Sequence, residues 1–332
     1  INCTLPILLI NESMNLTYAL REIWTHKFNY RWWRGRVVDH VVGGYFSRVG
    51  VGEGDHVLER DWDNLLILDA CRYDLFESAL SDFELLGKLS KRRSVQSGTP
   101  GFLRQTFGEG VFHDIVYVTA NPYVNTKLDT ETFHYVDPVW KHGWNDELQT
   151  VTPETMLEAA IGAAAEFPNK RLVVHFMQPH TPFIGEKRLG EHRESVLRKR
   201  ALGQSETPPE ERLSGPFERI RTGDVTKAEV WEAYRSNLDR VLPSVKELQD
   251  ELEGKTVVTS DHGNALGEFA WPFPIQIYGH PLDVTIPALV EVPWLETQSG
   301  KRKTITDSPP VGEREEASRE TKERLEMLGY KE

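Results

Sequence analysis

The order of hydrophobic and polar positions along the chain predicts strands that alternate with helices. Helical spacing of apolar residues marks two long helices, at 152–167 and 227–252. Short apolar runs predict the strands, at 65–68, 114–124, 170–180, 255–263 and 284–294. Buried strands separated by helices are typical of a parallel sheet covered on both faces. The predicted fold class is therefore α/β, with a doubly wound, mainly parallel sheet.

Changes in composition divide the chain into three predicted parts. Residues 1–60 form a helical segment packed on the core, 61–297 form the α/β domain, and 298–332 form a polar tail. Residues 186–215 are charged and rich in turn formers, which predicts a surface excursion and a candidate lid. The run YRWWRGRVVDH (30–40) mixes aromatic and basic residues. We interpret it as a helix face whose long side chains cover the core, with docking to a membrane surface as the alternative.

Charge and length narrow the class of partner. The net charge is −12, with 39 basic against 51 acidic residues, which argues against a nucleic-acid partner. No run reaches the roughly 20 apolar residues of a membrane helix, so no transmembrane segment is predicted. The run LPILLI (5–10) makes a poor signal peptide, which favours a cytoplasmic location and leaves export open. Only Cys3 and Cys71 are present, and no disulfide between them is expected.

Polar residues that can bind a metal follow three of the predicted strands. Asp69 comes after LLIL, His180 closes the run LVVHFMQPH, and Asp261 with His262 follows TVVTS. The carboxyl ends of parallel strands meet at one edge of a sheet, which is where ligands bind in such folds. Carboxylates with imidazole suit a divalent cation such as zinc or manganese. His175, in the middle of its strand, is predicted to be an ordinary core histidine.

Candidate nucleophiles lie in the run RSVQSGTPGFLRQTFG (93–108), which offers the hydroxyls of Ser94, Ser97 and Thr99 just before an apparent helix. A hydroxyl at a helix N-terminus beside a metal is well placed to attack an ester, because the free amide groups stabilise phosphate oxygens. On local sequence alone, however, a plain helix cap at Ser97 or Thr99 is the favoured interpretation. Cys71 follows the first strand and is predicted to be a small buried residue.

Five ordered segments together resemble the alkaline phosphatase superfamily, in its sulfatase-like branch. They are NLLILDACRYD, SGTPGFL, HFMQPHTPF, SDHGNALGE and YGHP, spread over residues 60–295. The resemblance implies an alkaline phosphatase-like sandwich, a metal site and in-line displacement through a covalent intermediate. By position it implies metal ligation by Asp69, Thr99, Asp261, His262 and His280. It also implies that Thr99 is the nucleophile and that His180 contacts the leaving group.

The chain departs from the sulfatase pattern at three positions. Thr99 stands where sulfatases need a Cys or Ser that is oxidised to formylglycine, so phosphate esters are favoured over sulfate esters. Ala70 follows Asp69, where sulfatases tend to have a second aspartate, and Gln178 replaces an acidic residue near the later histidine. A single-metal site, as in the phosphoethanolamine and glycerol-phosphate transferase branch, fits better. Arg72 and Ser97 are predicted to contact the substrate, with an ordinary ion pair as the alternative for Arg72.

The predicted protein is thus a metal-dependent hydrolase or phosphotransferase acting on phosphate esters through a covalent threonine. The expected cofactor is one or two divalent ions, zinc or manganese before calcium or magnesium. The expected substrate is a small-molecule or a glycan- or lipid-linked ester. Two alternatives stay open: a true sulfatase, and a non-catalytic relative that keeps the metal.

Overall fold

A mostly parallel sheet forms the centre of the folded domain. A computed structural model describes residues 16–49, 54–189 and 215–313. Its main sheet has eight strands in the order β12-β4-β3-β7-β1-β8-β11-β2. In chain order these are β1 (Asn64–Leu68), β2 (Lys88–Arg93), β3 (Phe112–Thr119), β4 (Phe133–Asp137), β7 (Arg171–Phe176), β8 (Gly254–Thr259), β11 (Glu291–Ser299) and β12 (Gly312–Glu313). Two small hairpins complete the strands: β5 (Trp144–Asn145) with β6 (Thr150–Val151), and β9 (Ala265–Phe269) with β10 (Gln276–Gly279).

Helices cover both faces of this sheet because the side chains of each strand alternate. Leu66 and Leu68 of β1 belong to one apolar cluster, and Leu65 and Ile67 belong to another on the opposite face. The described helices are α1 (Leu16–Thr25), α2 (Tyr30–Arg36), α3 (Gly43–Val49), α4 (Tyr73–Ala79), α5 (Thr99–Phe107), α6 (Tyr123–Lys127), α7 (Val139–His142), α8 (Pro153–Glu166), α9 (Pro216–Thr222), α10 (Lys227–Glu251) and α11 (Pro287–Val290). Helices α4, α8 and α10 contribute to the first cluster, and α5 and α6 to the second. The predicted doubly wound α/β class is confirmed.

Strand direction brings the chemically interesting ends together. β1 pairs in parallel with β7 on one side and with β8 on the other, and β7 pairs in parallel with β3. Their carboxyl ends therefore lie at one edge. β11 is the exception, since it runs antiparallel to both β8 and β2.

The strongly apolar elements predicted from the sequence are present. β1, β3, β7 and β8 match four predicted strands, and α8 and α10 match the two long helices. Thr152 caps α8 by accepting a hydrogen bond from the amide of Thr155, and Thr226 with Glu229 forms a capping box on α10. β2 was not predicted, because its sequence KLSKRR is polar and half-buried.

The last predicted strand, 284–294, is wrong in its first half. Pro287 begins the helical turn α11, because a proline is readily accommodated at the first helical position. The strand β11 begins only at Glu291 and continues to Ser299, beyond the predicted start of the tail. Within that predicted tail, β12 also pairs with β4. Residues 314–332 of the tail lie outside the described residues, as do 190–214 of the predicted excursion.

The N-terminal helices pack against the segment that follows β8. A π-helical stretch, Val37–Val42, joins α2 to α3. Val38, Val42 and Phe46 are buried with Ile277 and Leu289 in a third apolar cluster. No helix in the described parts of the chain combines the length and hydropathy needed to cross a bilayer.

A matched pair of leucines tests the assignment of the core. Leu66 is fully buried at the centre of β1, whereas Leu86 is 61% exposed. We expect Leu66→Ala to lower the free energy of unfolding by about 2–5 kcal/mol, because it removes buried methyl groups and leaves a cavity. Leu86→Ala should change it by less than about 0.5 kcal/mol. Urea unfolding of both variants measures the difference, and equal effects would contradict the packing described here.

Candidate metal centre

Three buried side chains meet at the carboxyl ends of the neighbouring strands β1 and β8. Asp69 follows β1 directly, and Asp261 and His262 follow β8 after one serine. One ligand atom from each lies within 4.8 Å of the other two. All three side chains are at most 2% exposed. The structure brings these three residues together, as the strand order predicted.

Asp261 accepts more hydrogen bonds than Asp69 does. Its Oδ1 accepts hydrogen bonds from the amides of Ala70 at 3.0 Å and His262 at 2.9 Å. The Ala70 amide reaches it because Ala70 adopts a left-handed conformation with φ of 59°. Burial alone would raise the pKa of Asp261, but the neighbouring histidines and these hydrogen bonds outweigh it and lower that pKa. Asp261 is therefore held as a carboxylate.

Asp69 has the opposite environment. Its Oδ2 accepts a hydrogen bond from Asn121 Nδ2 at 2.6 Å, while its buried Oδ1 has no hydrogen-bond partner. Burial, followed by the charge of Asp261, raises the pKa of Asp69 well above its usual value. A buried carboxylate oxygen without a partner costs free energy. A cation placed against Oδ1 removes that cost.

His262 presents a free nitrogen to both carboxylates. Its Nδ1 lies 2.8 Å from the carbonyl oxygen of Gly263, so Nδ1 carries the proton and donates it. The lone pair of Nε2 is left for the site, 3.8 Å from Asp69 Oδ1 and 3.6 Å from Asp261 Oδ2. Two carboxylate oxygens and one imidazole nitrogen are ligands that zinc and manganese accept. The residues thus fit a divalent metal ion.

Thr99 adds a hydroxyl to this group. Its Oγ1 donates a 2.7 Å hydrogen bond to Asp261 Oδ2 and lies 3.3 Å from His262 Nε2. Gly98, rather than Thr99, is the N-cap of α5, and the Thr99 hydroxyl makes no capping bond. The reading of Thr99 as a plain cap is therefore wrong. The first turn of α5 directs this side chain at the ligands.

The two rival hydroxyls serve other bonds. Ser97 Oγ donates to the carbonyl oxygen of Pro281 at 2.9 Å. Ser94 Oγ donates to the backbone carbonyl of Asp261. Ser97 therefore ties the turn before α5 to the loop that follows His280, and its predicted contact with substrate stays a prediction.

His180 and His280 form a pair beside the metal group, the name used here for Asp69, Asp261 and His262. Their Nε2 atoms are 3.1 Å apart, and His180 Nδ1 lies 2.8 Å from the Thr181 carbonyl oxygen. The rings of His280 and His262 are 4.5 Å apart. Burial lowers the pKa of both His180 and His280. His280 meets the metal group through the His262 ring, and its predicted role as a ligand stays a prediction.

Arg72 is already occupied by protein partners. Its Nε and Nη2 donate to Asp74 at 2.8 and 2.6 Å, and its Nη1 donates to Glu268 at 2.7 Å. Although burial alone would lower the pKa of Arg72, these carboxylates raise it. The ion-pair alternative describes this geometry, and substrate contact by Arg72 would require these bonds to break.

Two residues of the site were missed in the sequence. Asn121 bonds Asp69, and its position just after β3 at the ligand edge was the available signal. His175 was expected to be a core histidine, yet its unpartnered Nε2 lies 3.9 Å from both Asp69 Oδ2 and Asp261 Oδ2. Its Nδ1 lies 3.1 Å from the Tyr117 hydroxyl. Burial lowers the pKa of His175 to about 4, so the neutral ring faces the carboxylates.

No family model matches the chain, and no curated protein matches it. Similar solved structures include the integral membrane protein lipooligosaccharide phosphoethanolamine transferase A from Neisseria meningitidis, at 12% identity and a TM-score of 0.43, covering 85% of this chain and 59% of that one. They also include the C-terminal periplasmic domain of phosphoethanolamine transferase EptC from Campylobacter jejuni, at 12% identity and a TM-score of 0.38, covering 70% of this chain and 78% of that one. A protein in the alkaline phosphatase superfamily from Vibrio parahaemolyticus matches at 12% identity and a TM-score of 0.34, covering 79% of this chain and 62% of that one.

This chain spans about three fifths of the length of the Neisseria transferase. Because the identities and TM-scores are low, these matches say nothing about the chemistry of this chain.

Metal titration of Asp69→Asn tests the metal centre. In wild-type protein, zinc or manganese at about 100 times its Kd should raise the free energy of unfolding by about 2.7 kcal/mol. Asp69→Asn should lose this gain, yet be at least as stable as wild type without metal, because it removes a buried carboxyl beside Asp261. The exposed Glu109→Gln serves as control and should respond to metal like wild type. Equal metal stabilisation of all three proteins would contradict the site.

Replacement of His175 tests whether it orients the ligands. We expect His175→Leu to weaken metal binding by about 10- to 100-fold, because partners behind metal ligands have effects of that size. His175→Gln keeps a polar side chain and should recover part of the affinity. Isothermal titration with zinc measures both variants, and unchanged affinity in His175→Leu would remove His175 from the site.

Proposed function

We propose that this chain is a metal-dependent phosphate-ester hydrolase or phosphotransferase in which Thr99 forms the covalent intermediate. The observation that carries the proposal is the position of the Thr99 hydroxyl, 2.7 Å from Asp261 Oδ2 and 3.3 Å from His262 Nε2. The hydroxyl lies at the start of a helix and is buried among side chains that can bind a metal. A threonine that only supports the fold does not need this position. It is a suitable place for a nucleophile.

Asp69, Asp261 and His262 would hold the metal, with zinc or manganese favoured by their oxygen and nitrogen donors. When bound, such an ion lowers the pKa of a coordinated hydroxyl and neutralises charge on a transferred phosphoryl group. The buried and unpartnered Oδ1 of Asp69 supports this assignment.

Thr99 Oγ1 attacks the phosphorus atom in line with the leaving oxygen. The bond from Thr99 Oγ1 to phosphorus forms, and the phosphorus–oxygen bond to the leaving group breaks. The hydroxyl proton passes to Asp261 Oδ2, the atom to which it is already hydrogen-bonded. The start of α5 lies beside the phosphoryl oxygens, where the positive end of a helix favours negative charge.

His180 supplies the proton that the leaving oxygen needs. Burial lowers the pKa of His180, so the ligand-free residue is mostly neutral at pH 7. A bound anionic ester raises that pKa again, because a nearby negative charge favours the imidazolium. In the second step water or an acceptor alcohol breaks the Thr99–phosphorus bond. Its proton goes to His180, and Thr99 recovers its own from Asp261.

Two other functions use the same residues differently. A true sulfatase would have to act on sulfate esters without formylglycine, because formylglycine is made from Cys or Ser and not from a threonine such as Thr99. A non-catalytic relative would bind metal and turn over no ester. The hydrogen bond between Thr99 and Asp261 favours the phosphate-ester enzyme over the non-catalytic relative, because a protein that only binds metal does not require a hydroxyl at this position.

Variants on one helix test the role of Thr99. We expect Thr99→Ala to lower turnover of bis-p-nitrophenyl phosphate or p-nitrophenyl phosphate by at least about a thousandfold, as loss of a nucleophile does in other enzymes. Thr99→Ser should keep measurable turnover because it keeps the hydroxyl. Thr106→Ala, a buried threonine of the same helix whose hydroxyl has no partner, is the control and should keep the wild-type rate.

Intact-mass spectrometry after rapid quenching should detect a phosphorylated protein in wild type and none in Thr99→Ala. The acceptor in the second step is identified by the product, inorganic phosphate for hydrolysis and a new ester for transfer. Turnover of p-nitrophenyl sulfate that survives Thr99→Ala would overturn the proposal. Bound metal with no turnover of any ester would support the non-catalytic alternative.

A further inference from the structure

Aromatic side chains project into solvent where α1 meets α2. Trp24, Phe28 and Tyr30 expose 72%, 91% and 71% of their surfaces. We call residues 23–33, which contain these side chains, the aromatic corner. Single exposed apolar residues are common on proteins, but three large aromatics within seven positions form a patch that marks an interaction site.

The aromatic corner is basic, in contrast to the acidic chain around it. Residues 21–36 contain one acidic residue, Glu22, and five basic ones: Arg21, Lys27, Arg31, Arg34 and Arg36. The whole chain carries a net charge of −12. Lys27 Nζ lies 3.7 Å from the centre of the Trp24 ring, so positive charge and aromatic surface are interleaved. The complementary partner is therefore anionic and has an apolar layer.

The segment that directly follows the aromatic corner is packed against the domain. Val38 and Val42 are buried in the cluster that contains Ile277. The guanidinium of Arg34 donates a hydrogen bond to the carbonyl oxygen of Gln276 in β10. An anchored surface loses little conformational entropy when it binds, which favours a docking role.

A second exposed aromatic pair lies beside this anchor. Phe269 is the strand partner of Gln276, and it is 47% exposed. Its ring lies 6.1 Å from that of Trp271, which is 69% exposed. The hairpin that Arg34 contacts thus carries exposed aromatic surface of its own.

We propose that the aromatic corner docks on the surface of a lipid bilayer that contains anionic lipids. Tryptophan and tyrosine are favoured at the headgroup level of membranes, and lysine and arginine bind anionic headgroups. The proposal goes beyond the proposed chemistry and stands independently of it, since none of these residues belongs to the metal centre.

Vesicle flotation with the full chain tests this surface. Wild type should float with vesicles of phosphatidylcholine and phosphatidylglycerol, bind vesicles of phosphatidylcholine alone weakly, and dissociate as salt is added. The triple variant Trp24→Ser, Phe28→Ser, Tyr30→Ser and the double variant Lys27→Glu, Arg31→Glu should each lower partition into anionic vesicles by at least about tenfold. The tryptophan emission of wild type should shift to the blue on binding.

Matched controls alter equally exposed residues elsewhere. Leu86→Ser with Val111→Ser removes exposed apolar surface, since these residues are 61% and 66% exposed. Lys88→Glu with Lys301→Glu changes the net charge by the same amount as the charge-reversed corner. Both controls should bind anionic vesicles like wild type. Circular dichroism and thermal unfolding must show that every variant keeps the fold.

Three outcomes would overturn the proposal. The first is a wild-type protein that does not float with anionic vesicles. The second is binding that survives both corner variants, which would place the membrane contact elsewhere in the chain. The third is a wild-type dimer, seen by sedimentation, that the triple variant abolishes while vesicle binding is absent. That last result would identify a second copy of the chain as the partner.

Discussion

The burial of two carboxyl groups side by side is the constraint on which this structure depends. Asp69 and Asp261 follow neighbouring parallel strands, so the sheet itself forces them together. One carboxyl oxygen of each residue lies within 4.8 Å of the other. Two buried negative charges so close together are unfavourable unless the protein or a cation compensates them. Asp261 receives backbone amides and the Thr99 hydroxyl, while Asp69 keeps an oxygen without a partner. This asymmetry supports the proposed metal site, because the oxygen of Asp69 without a partner is available to a cation.

The long helix α10 supports the loops that carry this chemistry. Its Tyr234 hydroxyl donates to the carbonyl of Ala70, which helps hold the left-handed turn after Asp69. Its Asn237 Nδ2 donates to the carbonyl oxygens of Pro179 at 3.0 Å and His180 at 2.9 Å. One helix therefore positions both the turn that presents Asp69 and the loop that presents His180. The capping box at Thr226 stabilises the start of that helix.

The N-terminal helices connect the proposed site to the proposed membrane surface. α3 lies against the loop after His280. A side chain at Gly43 would place its Cβ 3.4 Å from the carbonyl oxygen of Leu282. Ser97, just before the nucleophile helix, bonds the same loop through Pro281. The aromatic corner therefore belongs to a segment that also supports one wall of the site. The proposed docking and the proposed catalysis share this support.

The sequence by itself determined the apolar strands, the long helices and the residues that end the strands. Continuous apolar runs such as LLIL, which are shorter than a usual helix, predict buried strands, and parallel strands place Asp69, Asp261 and His262 at one edge. The resemblance to a known family then singled out Thr99, which the local sequence could not separate from a helix cap. Polar β2 escaped prediction because its structure depends on pairing with β11 rather than on local pattern. The helical turn at Pro287 escaped prediction because the apolar residues around it also fit a strand.

Only the tertiary structure decided the partners of each side chain. His175 looked like a core residue, since periodicity shows which face a side chain takes but not what lies opposite. The register of β7 on β1 and the approach of β8 bring its Nε2 to both carboxylates. Arg72 looked available for substrate, yet Asp74 and the distant Glu268 occupy it. Contacts between residues far apart in the chain are set by strand order and packing, which the linear pattern does not encode.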